Sequence, residues 1–282
     1  MTGIAIVTDS TANLPQTSVD YWGITVVPVS VIVAGRGYDD GVDISSDQVA
    51  DELRASVNVS TSRPAPARFV AAYRHLAEMG ADHIVSVHLS AELSGTYDAA
   101  VIAAKQSPIP VTVIDSRTIS MGLGYAALAG ARSAKRGEPA ERVAQEISTT
   151  ATRARVLFYV DSLEWLRRGG RIGSAQRIIG GALAVKPILH VAKGRVQPLE
   201  KVRTASKAMA RLEELTVETA GSAPTHVAVM HLDATARAND LADRLRNRLP
   251  EADVLVGEVG AVIGSHVGPG MVATVVSAVP PP

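Results

Sequence analysis

The chain of 282 residues contains no cysteine, which excludes both a disulfide framework and a thiolate metal site. Its seven histidines show neither a His-Glu-x-x-His spacing nor a close His/Asp cluster, so no metal is expected. Aromatic residues make up 4% of the chain, and 28 basic side chains balance 28 acidic ones. A dedicated nucleic-acid binder would carry a basic excess and stacking rings, so no nucleic-acid partner is expected. No apolar run is long enough to cross a bilayer, and no transmembrane segment is expected. The opening "MTGIAIVTDS" runs straight into a strand-like stretch, without a basic region before a long apolar one. No signal peptide is read there, and a soluble cytoplasmic protein is expected. The Walker-type phosphate loop is missing, and no Gly-x-Gly-x-x-Gly follows the first apolar run.

What is present is a large apolar fraction, 46%, rich in alanine and valine, as in helices packed closely on a sheet. "IAIV" (4–7), "HIVSVHL" (83–89) and "VTVID" (111–115) predict buried strands, and "ITVVPVSVIV" (24–33) predicts a strand bent at Pro28. Helical patterns cover 46–56, 67–79, 96–106, 121–136 and 139–152. Such alternation implies crossover connections and a mainly parallel sheet. Beyond residue 153 the texture changes. "VLFYV" (156–160) predicts a strand and 187–202 an antiparallel hairpin turning at Lys193-Gly194. Helices at 204–219 and 234–248 and strands at 226–232, 253–259 and 271–279 follow, and the final prolines predict a frayed end. The expected fold class is α/β with two domains. The N-terminal one (1–152) has a mainly parallel sheet flanked by helices, and the C-terminal one (153–282) a mixed sheet with helices.

Ligands of parallel α/β sheets sit beyond the carboxyl ends of the strands, and there hydroxyls collect. Ser10, Ser116 and Ser120 read best as helix caps, and Asp9 and Asp115 as acceptors for loop N–H groups. Ser94-Gly95 stands at the mouth of a helix, where free N–H groups and a partial positive charge suit an anion; capping explains Ser94 equally well. Thr61 and Ser62 lie between two helical patterns in "STSRPAP", a loop stiffened by Pro64 and Pro66. "GSHVGPG" (264–270) predicts a loose loop carrying His266, with little to bury. From Arg153 to Arg177 six arginines face two acids; a solvated basic face or a site for phosphate or an acidic partner fits.

Taken together, "VTDSTANLP", "STSRPAP", "LSAELSGTYDAA", "VIDSRTISMGLG", "LRRGGRIG", "KPIL", "KVRT" and "SHVGPG" stand in the order seen in the DegV family, and the chain resembles that family along nearly its whole length. The resemblance implies two α/β domains and one bound long-chain fatty acid. The tail would lie in an apolar tunnel, chiefly in the second domain, and the carboxylate at the domain junction. It implies a partner too: a separate fatty acid kinase similar to dihydroxyacetone kinases, which makes the acyl phosphate that the binding protein carries towards phospholipid synthesis. No cofactor and no catalysis by the chain itself are implied.

By the same resemblance, Thr61, Ser94 and His266 are ligands of the carboxylate and Gly95 is a backbone donor beside them; Ser62, next to Thr61, is expected to bind the carboxylate too. Arg171 stands near the head group and the kinase-facing surface. Arg63-Pro64-Ala65 replaces the usual Gln-Pro-Ser of the family, and Ala91 a common serine, so Arg63 adds a charge near the head group. The alternative from residue types alone is a serine hydrolase acting on acyl esters, with Ser94 as nucleophile, His266 as base and Asp115 or Asp9 as orienter. "LSGT" lacks the Gly-x-Ser-x-Gly elbow of such enzymes.

Overall fold

A computed structural model describes residues 3–178 and 186–279. Four strands, β1 (Ile4–Asp9), β2 (Thr25–Val27), β6 (His83–His88) and β7 (Val111–Asp115), form a fully parallel sheet in the order β2-β1-β6-β7. β1 and β6 are its central strands, and their apolar runs suit a sheet covered on both faces.

Pro28 does more than bend a strand. It separates β2 from β3 (Ser30–Val33), which leaves the parallel sheet and pairs antiparallel with β4 (Arg36–Asp39) and β5 (Val59–Ser62). This second, three-stranded sheet was not expected from the sequence. It also corrects the reading of residues 60–62 as a loop between helices: Ser60, Thr61 and Ser62 are on β5.

The helices are α1 (Gln16–Trp22), α2 (Ser46–Arg54), α3 (Pro66–Glu78), α4 (Thr96–Ala104), α5 (Met121–Lys135) and α6 (Ala140–Arg153). Past α6, the strands β8 (Arg155–Tyr159), β9 (Lys186–Ala192), β10 (Arg195–Val202), β11 (Thr225–Leu232), β12 (Asp253–Glu258) and β13 (Met271–Ala278) form a mixed sheet in the order β10-β9-β8-β13-β11-β12. β11 and β12 run parallel, while the other neighbours are antiparallel. β9 and β10 form the expected hairpin, turning at Lys193 (φ 52°) and Gly194 (φ 78°); positive φ at both turn residues matches the twist of the strands. The helices here are α7 (Glu164–Arg168), α8 (Ala205–Ala220), α9 (Thr235–Arg248) and α10 (Ala261–Val267). The terminal prolines 280–282 and the side chain of Arg177 lie outside the described residues.

The two large sheets share a core. α5 touches β1 and β6 on one side and β13 on the other, and twelve of its fifteen residues are buried. This explains "MGLGYAALAGARSAK": only small side chains let a helix approach two sheets and α6 this closely, and a Cβ at Gly130 would fall 2.5 Å from Ile147. One apolar cluster runs from Ile6, Val85 and Val87 through Leu123 and Ala127 to Phe158, Met230 and Val275. A smaller cluster joins Val29, Val31 and Val49 to Ala261 and Val262 of α10, so the three-stranded sheet holds a helix contributed by the C-terminal half.

Candidate functional site

The polar residues that converge on the junction come from four places, each fixed by its own contacts. Thr61 is on β5, paired with Val31. Ser94 and Gly95 follow β6, whose end is tied to β1 by a buried network. Tyr73 donates to Ser86 (2.8 Å), Ser86 pairs with His88 Nε2 (2.7 Å) and His88 Nδ1 with Asp9 (3.0 Å); Asp9 also accepts the Leu89 and Thr11 N–H groups. Asp115 accepts the N–H groups of Ala91 and Arg117. Both aspartates are therefore acceptors for loop N–H groups, as read from the sequence.

His266 corrects the expectation of a loose loop. It stands in the last turn of α10, a helix in which Gly264, Ser265 and Val267 are buried. The glycine-rich stretch is close-packed because neighbouring side chains need the space. Gly268, with φ 74°, presses on the Trp165 ring so that a Cβ would collide with it. A Cβ at Gly169, in the turn after α7, would likewise collide with His266 Nδ1. The N-terminus of α10 is anchored by Asp40, a buried residue that the sequence reading missed. Its carboxylate accepts the Ala261 N–H at 2.7 Å and the Ser10 hydroxyl at 2.8 Å. Burial raises the Asp40 pKa, against the lowering effect of these hydrogen bonds. Nothing in "YDDGVD" marks that aspartate, since its partner lies more than two hundred residues away. Ser10 thus bridges Asp40 and the Val29 N–H rather than capping a helix, and Ser116 serves its own turn through Thr118.

Thr61 Oγ1 and His266 Nε2 are 2.8 Å apart. Burial first, and the nearby Arg171 charge second, lower the His266 pKa to about 4, so the ring is neutral at physiological pH. Among the described residues Nδ1 has no hydrogen-bond partner. Ser94 pairs with the Thr96 hydroxyl at 2.9 Å and caps no backbone group of α4, whose first turn lacks a side-chain cap. Capping is therefore not what the Ser94 hydroxyl does: it stands beside the N-terminus of α4 without closing it. Arg171 donates to the carbonyls of Leu93 (3.0 Å) and Gly169 (2.6 Å), joining the Ser94 loop to the turn that carries α7. Arg63 is exposed, and its side chain lies across Gly95. Ser62 is exposed and bonds only its neighbour's carbonyl, at 3.3 Å. Of the other arginines in that basic stretch, Arg167 and Arg168 both pair with Glu164.

Thr61, Ser62, Arg63, Ser94, Gly95, Arg171 and His266 all line one cavity of about 360 Å³. The rest of its wall is almost wholly apolar: Leu89, Leu93 and Ile119 from the N-terminal half, Val156, Phe158 and Ala273 from the mixed sheet, and Val262, Ile263 and Val267 from α10. A second, polar cleft of about 530 Å³ meets the first at Thr61, Arg171 and His266. These three residues line both the apolar cavity and the polar cleft. An apolar chamber with a few convergent polar groups at one end is the usual form of a small-molecule site. A hydrolase relay is not assembled. His266 bonds Thr61 rather than Ser94, its Nδ1 faces Gly169 where an orienting carboxylate would stand, and Asp9 and Asp115 are engaged elsewhere. Ser120 also departs from its expected capping role. It lines the cavity, but its hydroxyl makes no cap bond and, among the described residues, has no partner.

Residues 3–279 match the family model described as "Uncharacterised protein, DegV family". The chain belongs to the DegV family. A DegV domain-containing protein of Streptomyces coelicolor is 54% identical over 275 residues, covering 97% of this chain and 98% of that relative. Among solved structures, a DegV family protein of Thermus thermophilus, described for its fatty acid binding, matches with a TM-score of 0.92 and 34% identity over 98% of this chain and 99% of that one. DegV of Bacillus subtilis, described as a fatty acid binding protein, matches with a TM-score of 0.92 and 32% identity over 99% and 100%. The α/β architecture of parallel and mixed sheets is thus that of solved DegV proteins. Among the described residues of this DegV chain no helix is long and apolar enough to cross a membrane.

Proposed function

We propose that this DegV protein binds one long-chain fatty acid and catalyses nothing itself. The acyl tail fills the apolar cavity, and the carboxylate meets Thr61, Ser94 and His266, with the open N-terminus of α4 beside them. The observation that carries this reading is the coupling of an almost wholly apolar chamber to that cluster of donors at one end. Each buried methylene contributes about 0.8 kcal/mol, so the tail dominates affinity. A carboxylate taken out of water needs hydrogen-bond donors, which two hydroxyls, a neutral imidazole and helix N–H groups supply. The fatty acid binding described for the Thermus and Bacillus proteins supports the ligand class.

In this reading the carboxylate stands where the apolar cavity meets the polar cleft. It is held, yet approachable from the polar side between Thr61, Arg171 and His266. That suits presentation to a separate enzyme, a fatty acid kinase resembling dihydroxyacetone kinases, with the protein as acyl carrier towards phospholipid synthesis. Binding of a long-chain fatty acid to delipidated protein, followed by phosphorylation of the bound acid by such a kinase, tests both halves. Binding without phosphorylation by any such kinase would contradict the carrier role alone.

A further inference from the structure

Two arginines line the apolar cavity, and their bonding differs. The Arg171 guanidinium is committed to the carbonyls of Leu93 and Gly169. Arg63 is exposed. Its carbonyl accepts the Ser62 hydroxyl, but among the described residues its guanidinium has neither a hydrogen-bond nor an ion-pair partner. The arginines on either side in sequence, Arg54 and Arg68, each pair with an aspartate.

The backbone explains where this cation stands. Pro64 biases Arg63 to an extended conformation, so the alternation of β5 carries on one residue past Ser62. Thr61 and Arg63 then face the same way, roughly 7 Å apart along the chain, and both line the cavity. From there the Arg63 side chain reaches the Ser94 loop: a Cβ at Gly95 would fall 2.9 Å from its Cδ and 3.1 Å from its Nη1. It therefore spans from the strand of Thr61 to the loop of Ser94, two of the three proposed carboxylate donors. That position is electrostatically unfavourable as it stands. Gly95 is the N-cap of the nine-residue helix α4, and a cation beside the positive end of a helix is repelled. Asp98, in the first turn of α4, forms no ion pair with it. A bound anion would satisfy the guanidinium. Thr61, Ser94 and the neutral His266 ring offer hydrogen bonds without charge, and these suit an amide as well as a carboxylate. Arg63 is the group that tells the two apart.

We propose that Arg63 selects by charge: its guanidinium pairs with a bound carboxylate and makes the cavity prefer an ionised acid to a neutral acyl lipid of the same length. The proposal rests on the fatty-acid reading of the head-group site. It is tested by fluorescence displacement at neutral pH on the delipidated full-length protein, comparing stearic acid with stearamide in wild type, Arg63→Gln and Arg63→Lys. At low salt the affinity ratio of acid over amide falls on the order of fivefold in Arg63→Gln, the upper end for an exposed ion pair, while Arg63→Lys keeps most of it. Stearamide binds all three proteins alike, which shows that the cavity is intact. Salt at about 1 M, which shortens the screening length to about 3 Å, lowers the wild-type ratio towards that of Arg63→Gln. A ratio that Arg63→Gln leaves unchanged at low salt, or that falls as far in Arg63→Lys, overturns the assignment of Arg63 and leaves the fatty-acid reading standing. Failure of wild type to bind stearic acid overturns that reading, and this proposal with it.

Discussion

His266 and Gly169 are packed so closely that a single methyl group on the glycine would occupy the place of the imidazole Nδ1. The glycine doublet after α7 therefore shapes the proposed head-group site as directly as the side chains that line it. Gly169→Ala should push His266 off Thr61 and weaken fatty acid binding by about tenfold or more, corresponding to about 1.4 kcal/mol. Gly170→Ala, where a Cβ meets no neighbouring atom but φ is 69°, should cost stability without that loss. Calorimetric titration of the two folded variants checks the contrast; equal binding in both would contradict it.

Each head-group donor should contribute separately. Thr61→Val keeps the shape and removes the hydroxyl, while Ser94→Ala removes the group beside the open end of α4. Either should lower affinity by roughly fivefold to about 150-fold, the range of about 1–3 kcal/mol for a lost partner of a buried charged group. Ser62→Ala, whose hydroxyl bonds only the Arg63 carbonyl, should leave affinity within about twofold of wild type. A large loss in Ser62→Ala with none in Ser94→Ala would reverse the assignment.

Asp40 is the N-terminal anchor of α10, through the Ala261 N–H and Ser10. Asp40→Ala leaves both donors unmet in a buried site, at a cost of about 1–3 kcal/mol. Because the same helix carries His266, fatty acid affinity should fall together with the urea midpoint. Lost stability with unchanged affinity would show that α10 holds His266 without this anchor.

Acid should destabilise the protein through its buried imidazoles. Burial and Arg171 lower the His266 pKa from 6.5 to about 4, so between those values the unfolded chain binds a proton that the folded chain refuses. Stability is then full above the unfolded value and is lost as pH falls from 6.5 towards 4. His190, His226 and His231 are lowered by burial in the same direction. Asp40, raised by burial, acts in the opposite sense at the acid end of that window. His266 alone accounts for a loss of about 2 kcal/mol between neutral pH and about pH 5. Urea unfolding of His266→Asn should show a loss smaller by that amount; an undiminished loss would contradict the assignment.

Much of this fold was legible in the sequence because many of its strands are continuous apolar runs and helices such as α2 and α6 keep an amphipathic period. The parts that were hidden are those where distant contacts override local preference. "VSTS" has a β-branched start but three hydroxyl residues, and becomes β5 because Val31 and Val33 offer it a ladder. "GSHVGPG" reads as a loose loop, but its first four residues end α10, because Asp40 holds the start of that helix and the three-stranded sheet covers it. Thr61, Ser94 and His266 were singled out through the order of whole motifs, and the structure brings them to one cavity. The role of Gly169 belongs to the packing between elements, which no local pattern encodes.

The central claim is that one fatty acid is held by its carboxylate at Thr61, Ser94 and His266, with its tail in the apolar cavity. Native mass spectrometry of delipidated protein incubated with stearic acid tests it most directly. The expected result is a single adduct of one acid per chain, strongly reduced in the Ser94→Ala/His266→Ala double variant and in an Ala273→Trp variant that fills the cavity. No adduct on wild type, or an adduct of equal abundance on all three proteins, would contradict it.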